Sequence, residues 1–148
     1  RGEPLWPDGV TGSITHCRGY RAAAAARRTA LRAIGIDAEE HRPLPADIVD
    51  MVLLPQERDA TEALAGSVPG VHWRTVAFSA KEALYKAWFQ TTGRWLGFHD
   101  AELRISAHGA FTADIRVNAT AIDGTALPVF KGRWHTDGTT IVTCVSAV

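Results

Sequence analysis

The sequence predicts an α+β fold, a long helix packed on an antiparallel sheet, and three observations predict it. Residues 78–89 are rich in strong helix formers and hold neither Gly nor Pro. Beyond residue 100 the pattern changes to period two, in runs rich in Ile, Val, Phe and Thr. His108-Gly109 and Asp137-Gly138 stand where tight hairpin turns join such runs. At 148 residues, 46% hydrophobic and 22% charged, the chain suits one compact domain with a real core.

In chain order, residues 1–12 carry Gly2, Pro4, Pro7, Gly9 and Gly12 and read as a loop. Ser13 to Cys17 is extended, with Thr15 and Cys17 on one side and Ile14 and His16 on the other. The alanines Ala22 to Ala26 favour a helix on propensity, although Ala also fits the crowded centre of a buried sheet. Ile34 to Glu39 reads as a strand that presents Gly35, Asp37 and Glu39 together, opposite Ile34, Ile36 and Ala38. Arg42-Pro43-Leu44-Pro45 breaks the backbone before a short amphipathic helix over Ala46 to Leu54. A second short helix over Gln56 to Leu64 is closed by Gly66. The main helix begins either near His72-Trp73 or at Ser79 and ends before Gly93. Four strands follow, at Glu102–Ala107, Ala110–Ala119, Pro128–Thr136 and Thr139–Ala147.

Sixteen basic residues balance sixteen acidic ones, so no overall field draws the chain to nucleic acid or an anionic membrane. No apolar run is long enough to span a bilayer, and the expected location is cytoplasmic. Cys17 and Cys144 lack disulfide or zinc spacing and are expected as reduced, buried thiols. The chain opens without Met on turn-forming residues, as if cut from something longer.

Glu82 and Lys86 share one helix face, one turn apart. Alone the pair is ordinary, and Glu82 would equally close a capping box with Ser79. Asp37 and Glu39 on one strand face raise its significance: with Glu82 they make three hard oxygen donors, the set Mg²⁺ prefers. Clustered carboxylates resist ionising without a cation, and Lys86 would hold a phosphate as a point charge. The residues therefore suit metal-assisted phosphoryl chemistry. His41, His72, His99, His108 and His135 show no metal spacing and read as surface or capping residues, while Trp73, Trp88 and Trp134 read as core anchors.

Gly35-Ile36-Asp37-Ala38-Glu39 together with Phe78-Ser79-Ala80-Lys81-Glu82-Ala83-Leu84-Tyr85-Lys86 resembles the paired signature of 4'-phosphopantetheinyl transferases. Trp6-Pro7-Asp8-Gly9, Gly12 to Cys17 and Arg94-Trp95-Leu96-Gly97-Phe98 extend the likeness over nearly the whole chain, toward the surfactin-type, actinobacterial branch. The resemblance implies a pseudo-two-fold pair of antiparallel-sheet-plus-helix halves, with the first half incomplete. Residues 1–32 would end the N-terminal half, and residues 33–148 would form the C-terminal one. It also favours strands at Tyr20 to Arg27 and Leu31 to Ala38, paired as a hairpin that turns near Arg28-Thr29.

The implied reaction moves the 4'-phosphopantetheine arm of coenzyme A to a serine of an apo acyl or peptidyl carrier protein, releasing adenosine 3',5'-bisphosphate. Asp37, Glu39 and Glu82 match the ligands of Mg²⁺, with Mn²⁺ as the alternative. Glu82, or a water held by the same cluster, matches the base. Lys86 matches the pyrophosphate contact, Lys81 its basic neighbour, Thr15 and His16 the phosphate-touching pair, and Gly2-Glu3-Pro4 the adenine loop. Glu3 departs from the Lys common at its position. Trp95 and Phe98 lie near the implied pantetheine tunnel and carrier surface, and the full-length relatives are monomers. Two other readings stay open: a metal-dependent pyrophosphate hydrolase acting on coenzyme A, and a noncatalytic coenzyme A or carrier-binding fragment.

Overall fold

A computed structural model describes residues 3–148. Two antiparallel sheets are present. One is a hairpin of β1 (Val10–Cys17) and β2 (Tyr20–Arg27); the other has five strands, β3 (Ala33–Glu40), β4 (Ala101–Ile105), β5 (Ala110–Ile115), β6 (Phe130–Thr136) and β7 (Thr140–Ala147), in the order β3-β7-β6-β5-β4. Between β3 and β4 come α1 (Ala46–Val52), α2 (Pro55–Ser67) and α3 (Trp73–Thr92). The expected α+β fold is what the chain adopts.

The long helix α3 packs on the large sheet, chiefly on β3 and β7. Its Ala80, Ala83, Leu84, Ala87 and Trp88 meet Ala33, Val145, Phe111 and Phe130 in the main core. Ala83 and Ala87 are small where the helix crosses β3, so backbone approaches backbone. A Cβ on Gly35 would lie 2.0 Å from the Ala83 carbonyl oxygen, so no other residue type fits without moving the helix. Trp73, Val76 and Ile141 close a second patch near the start of α3, and Val49, Val52, Leu53 and Ala77 seat α1. Helix α3 ends on Gly93, whose φ of 65° supplies the left-handed cap.

Several expectations are corrected. The strand Tyr20–Arg27 exists, against its alanine-rich helix propensity, but its partner is β1. Cys17 pairs with Tyr20 across the two-residue loop Arg18-Gly19, and Gly19 at φ 75° supplies the turn conformation that Arg28-Thr29 lacks. The chain then crosses to the second sheet, where β3 pairs with β7. Helix α3 starts at Trp73, so Ser79 is an interior residue, bonded to Thr143, and closes no capping box. Helix α2 runs through Gly66 and ends on Val68. Cys17 and Cys144 are free but half-buried, where burial was expected. His41 accepts the His72 N–H at Nε2 and donates from Nδ1 to the Gly138 carbonyl, tying the start of α3 to the β6–β7 turn.

Candidate functional site

The close approach of α3 to β3 brings the two motifs together in space. Gly35, Asp37 and Glu39 share the strand face that meets the helix, and Glu82 lies within the electrostatic field of both carboxylates. Asp37 is only 6% exposed, and its Oδ1 accepts from Lys86 Nζ at 3.2 Å. Burial raises the pKa of Asp37 despite the opposing Lys86 ammonium. Burial and then Asp37 push Glu39 up to about 7, and the same two causes raise Glu82. Two buried side-chain polar atoms among the described residues lack a partner, Trp88 Nε1 and Asp37 Oδ2. The second is a carboxylate oxygen, the more costly group to leave alone.

That orphaned oxygen, beside two further carboxylates that resist ionising, fits a hard divalent cation. Among the described residues no three His, Cys, Asp or Glu side chains close into a ready-made metal site. Asp37, Glu39 and Glu82 thus sense one another's charge without converging on a single point.

Lys86 and Gln90, one turn apart on α3, occupy the seam between the two sheets. Strands β1 and β3 run side by side there, joined by side chains where a backbone ladder would otherwise lie. Lys86 Nζ donates to the carbonyls of Ile36 (2.7 Å) and Ile14 (3.4 Å) as well as to Asp37. Gln90 Nε2 donates to the carbonyls of Ile34 (2.7 Å) and Gly12 (3.0 Å). Its Oε1 accepts from Thr11 Oγ1 and the Ile34 N–H. From the strand side, Ser13 Oγ and Thr15 Oγ1 accept the N–H groups of Ile36 and Ala38.

The remaining expected site residues fall into two groups. Glu3, Pro4 and Lys86 line a cleft of about 970 Å³ together with Leu5, Trp6 and Ile14. Gly2 lies outside the described residues. Thr15 turns inward to the seam, and His16 is exposed on the face of β1 that also carries Ile14. Lys81 lines a narrower concavity beside Glu82, with its ammonium turned into the protein. Its side chain is 2% exposed and pairs with Glu57 at 2.8 Å, while Nζ also donates to the carbonyls of Phe98 and Ala101. All three ammonium donors are spent inside the protein, so Lys81 stands apart from the carboxylates despite adjoining Glu82 in sequence. Burial lowers its pKa against the counter-pull of Glu57.

Gln90 and Glu57 were missed by sequence reasoning. Gln90 continues the four-residue stride of Glu82 and Lys86, the one signal that pointed to it. Glu57 gave none beyond its place in the first turn of α2, where it accepts the Leu54 N–H; its other oxygen accepts the Leu103 N–H at the edge of β4.

A second, narrower concavity of about 100 Å³ opens beside Glu82, walled by Leu84, Tyr85, Trp95, Leu96 and Phe98. Tyr85 lines both spaces, so the slot and the cleft flank one residue of α3, with Glu82 lining the slot and Lys86 the cleft. Trp95 is 74% exposed and stacks at a tilt on Tyr85, unlike the core tryptophans Trp73 and Trp88. Among the described residues no helix is long and apolar enough to cross a membrane.

Residues 33–140 match the profile of the 4'-phosphopantetheinyl transferase superfamily, and residues 1–26 match that of a 4'-phosphopantetheinyl transferase N-terminal domain. The chain is 46% identical over 147 residues to 4'-phosphopantetheinyl transferase Svp of Streptomyces mobaraensis, covering 99% of this chain and 60% of that protein. It is 42% identical over 151 residues to 4'-phosphopantetheinyl transferase PptT of Mycobacterium tuberculosis, covering 98% and 65%. The chain thus spans roughly three-fifths of the length of these curated relatives. The fold is similar to that of the holo-ACP-synthase from Plasmodium yoelii, with a TM-score of 0.59 at 19% identity over 79% of this chain and 94% of that one.

Proposed function

Because the chain belongs to the 4'-phosphopantetheinyl transferase superfamily, we propose that it transfers the 4'-phosphopantetheine arm of coenzyme A to a serine of an apo carrier protein, in the cytoplasm. The single observation that carries the reading is the junction at α3. A broad cleft lined by Lys86 and a narrow apolar slot lined by Glu82 lie on either side of Tyr85, and Lys86 holds the buried Asp37, whose second oxygen has no partner. A bulky nucleotide suits the first space and a thin, extended arm the second, with the phosphates between them.

Asp37, Glu39 and Glu82 would hold Mg²⁺, or Mn²⁺ in its place. Bound there, the ion would supply neutralisation of the pyrophosphate charge. Lys86 keeps two donors on the Ile14 and Ile36 carbonyls and turns its third from Asp37 to a phosphate oxygen. Glu82, or a water held by the same cluster, takes the proton of the acceptor serine. The serine oxygen bonds to the phosphorus that carries the pantetheine arm. The bond from that phosphorus to the bridging oxygen breaks, and adenosine 3',5'-bisphosphate leaves. The slot walls, Tyr85, Leu96 and Phe98, keep the arm extended and water away.

We further place residues 1–32 in the first of two pseudo-symmetric halves and residues 33–148 in the second. The gap between the two matched segments, 1–26 and 33–140, supports that division. Trp6 to Gly9 and Arg94 to Phe98 support the surfactin-type branch.

The test is the intact mass of an apo carrier protein after incubation with the chain, coenzyme A and Mg²⁺, beside Asp37→Ala. A gain of one phosphopantetheine, absent from the variant, is expected. Loss of coenzyme A without an acceptor would mark a hydrolase instead, and Mg²⁺-dependent binding without turnover a binding module. No Mg²⁺-dependent binding of coenzyme A would overturn the assignment.

A further inference from the structure

The seam between β1 and β3 is built from side chains, and Gln90 is its densest member. Its amide engages both strands through four bonds: to Thr11 and Gly12 on β1 and to the N–H and carbonyl of Ile34 on β3. One turn earlier, Lys86 sits between the carbonyls of Ile14 and Ile36, two residues further along the same strands. The bond to Ile14 is the long one, 3.4 Å against 2.7 Å, so Lys86 is the member most sensitive to the spacing of β1 from β3. Gln90 fixes that spacing at the adjacent step. Ser13 and Ile14, on the β1 stretch so held, line the cleft with Lys86 and Gln90.

We propose that Gln90 is a positioning residue for the transfer reaction: it holds β1 at the distance from β3 at which Lys86 is pinned by two carbonyls and presents its third donor to the phosphates of coenzyme A. The inference rests on the transferase reading. Without the amide, the Gly12 and Ile34 carbonyls lose their shared donor, β1 moves from β3, and the ammonium follows whichever carbonyl it keeps. The consequence is weaker grip on a phosphate. The slot and the base Glu82, which belong to α3 and the segment that follows it, are untouched.

Gln90→Met keeps the length of the side chain and removes its polar atoms. Thr11→Val serves as the control, because it deletes a bond of the same seam while leaving both Gln90 donors on their carbonyls. Initial rates with an apo carrier protein, coenzyme A and Mg²⁺ would give KM for each substrate and kcat. Gln90→Met is expected to raise KM for coenzyme A about tenfold, the worth of one displaced charge-assisted bond, with kcat and the carrier KM within about twofold. Thr11→Val is expected to lower the melting temperature and leave every KM alone. A second readout needs no ligand: amide hydrogen exchange at Ile36 and Ala38, whose N–H groups bond to β1 hydroxyls, should quicken in Gln90→Met while β7 stays protected. An unchanged KM for coenzyme A, or equal effects in both variants, would overturn the proposal, as would unchanged exchange at Ile36 and Ala38. If the unsubstituted chain neither binds nor consumes coenzyme A, the transferase reading itself falls and the kinetic role goes with it; the exchange data then still decide whether Gln90 holds β1.

Discussion

Lys81 and Lys86 stand five residues apart on one helix and lead opposite lives. Lys81 is sealed in the core against Glu57, with its side chain 2% exposed and every donor satisfied by protein. Through the Phe98 and Ala101 carbonyls it fastens the loop that walls the slot, and through Glu57 it fastens the start of α2 and the edge of β4. Lys86 keeps 29% of its side chain in contact with solvent and holds a carboxylate that is itself short of bonds. The first ammonium is fully committed, the second only until something better charged arrives. Proximity in a motif therefore says little about shared duty. A step of one residue turns a helical side chain by about 100°, enough to pass from the site to the core.

The comparison can be broken or sharpened by four measurements, ranked here by their effect on unfolding free energy. Glu57→Ala strips a buried ammonium of its only carboxylate and should cost about 3–5 kcal/mol in denaturant unfolding; a loss under about 1 kcal/mol would mean Lys81 is not locked as described. Gly35→Ala drives a methyl group into the Ala83 carbonyl and should cost about 1–3 kcal/mol, because the helix must retreat from the strand that carries Asp37. Mg²⁺ affinity should fall with it.

The third concerns pH. Asp37, Glu39 and Glu82 all have folded pKa values above their ordinary ones. The metal-free folded chain therefore binds more protons than the unfolded one, and its stability falls as pH rises from about 4.5 to about 7, the span of the Glu39 shift. Saturating Mg²⁺ should flatten that slope and raise the melting temperature more at pH 7.5 than at pH 5. Equal Mg²⁺ effects at both values would count against a cation among these groups. Fourth, Lys86→Met should change unfolding by less than about 1 kcal/mol, as expected for a partly exposed pair. It should nevertheless weaken coenzyme A binding by more than about tenfold. A large stability loss in Lys86→Met would erase the contrast with Lys81.

Much of the fold was legible because it is written in local periodicity. The four strands after α3 and the turns at Gly109 and Gly138 follow from alternation and from glycines at positive φ. The pairing of β2 was not, since alternation names a strand without naming its neighbour; Gly19 was the better guide than the longer connection at Arg28-Thr29. Within the site, the nearness of Asp37, Glu39 and Glu82 was expected from the resemblance and is realised as mutual electrostatic influence. The burial of Lys81 escaped notice because its partner, Glu57, lies on a helix that carries no motif. Gln90 escaped for a similar reason, its partners on β1 and β3 being 56–79 positions away in the chain.

A backbone ladder is indifferent to sequence: almost any residue except proline can join one, so two strands so joined survive most mutations. The join between β1 and β3 has no such insurance. It is spelled by Ser13, Thr15, Lys86 and Gln90, and each letter can be changed singly by one codon. The spacing between the two sheets, and with it the width of the cleft, is thus open to adjustment in small hereditary steps while the sheets themselves stay intact.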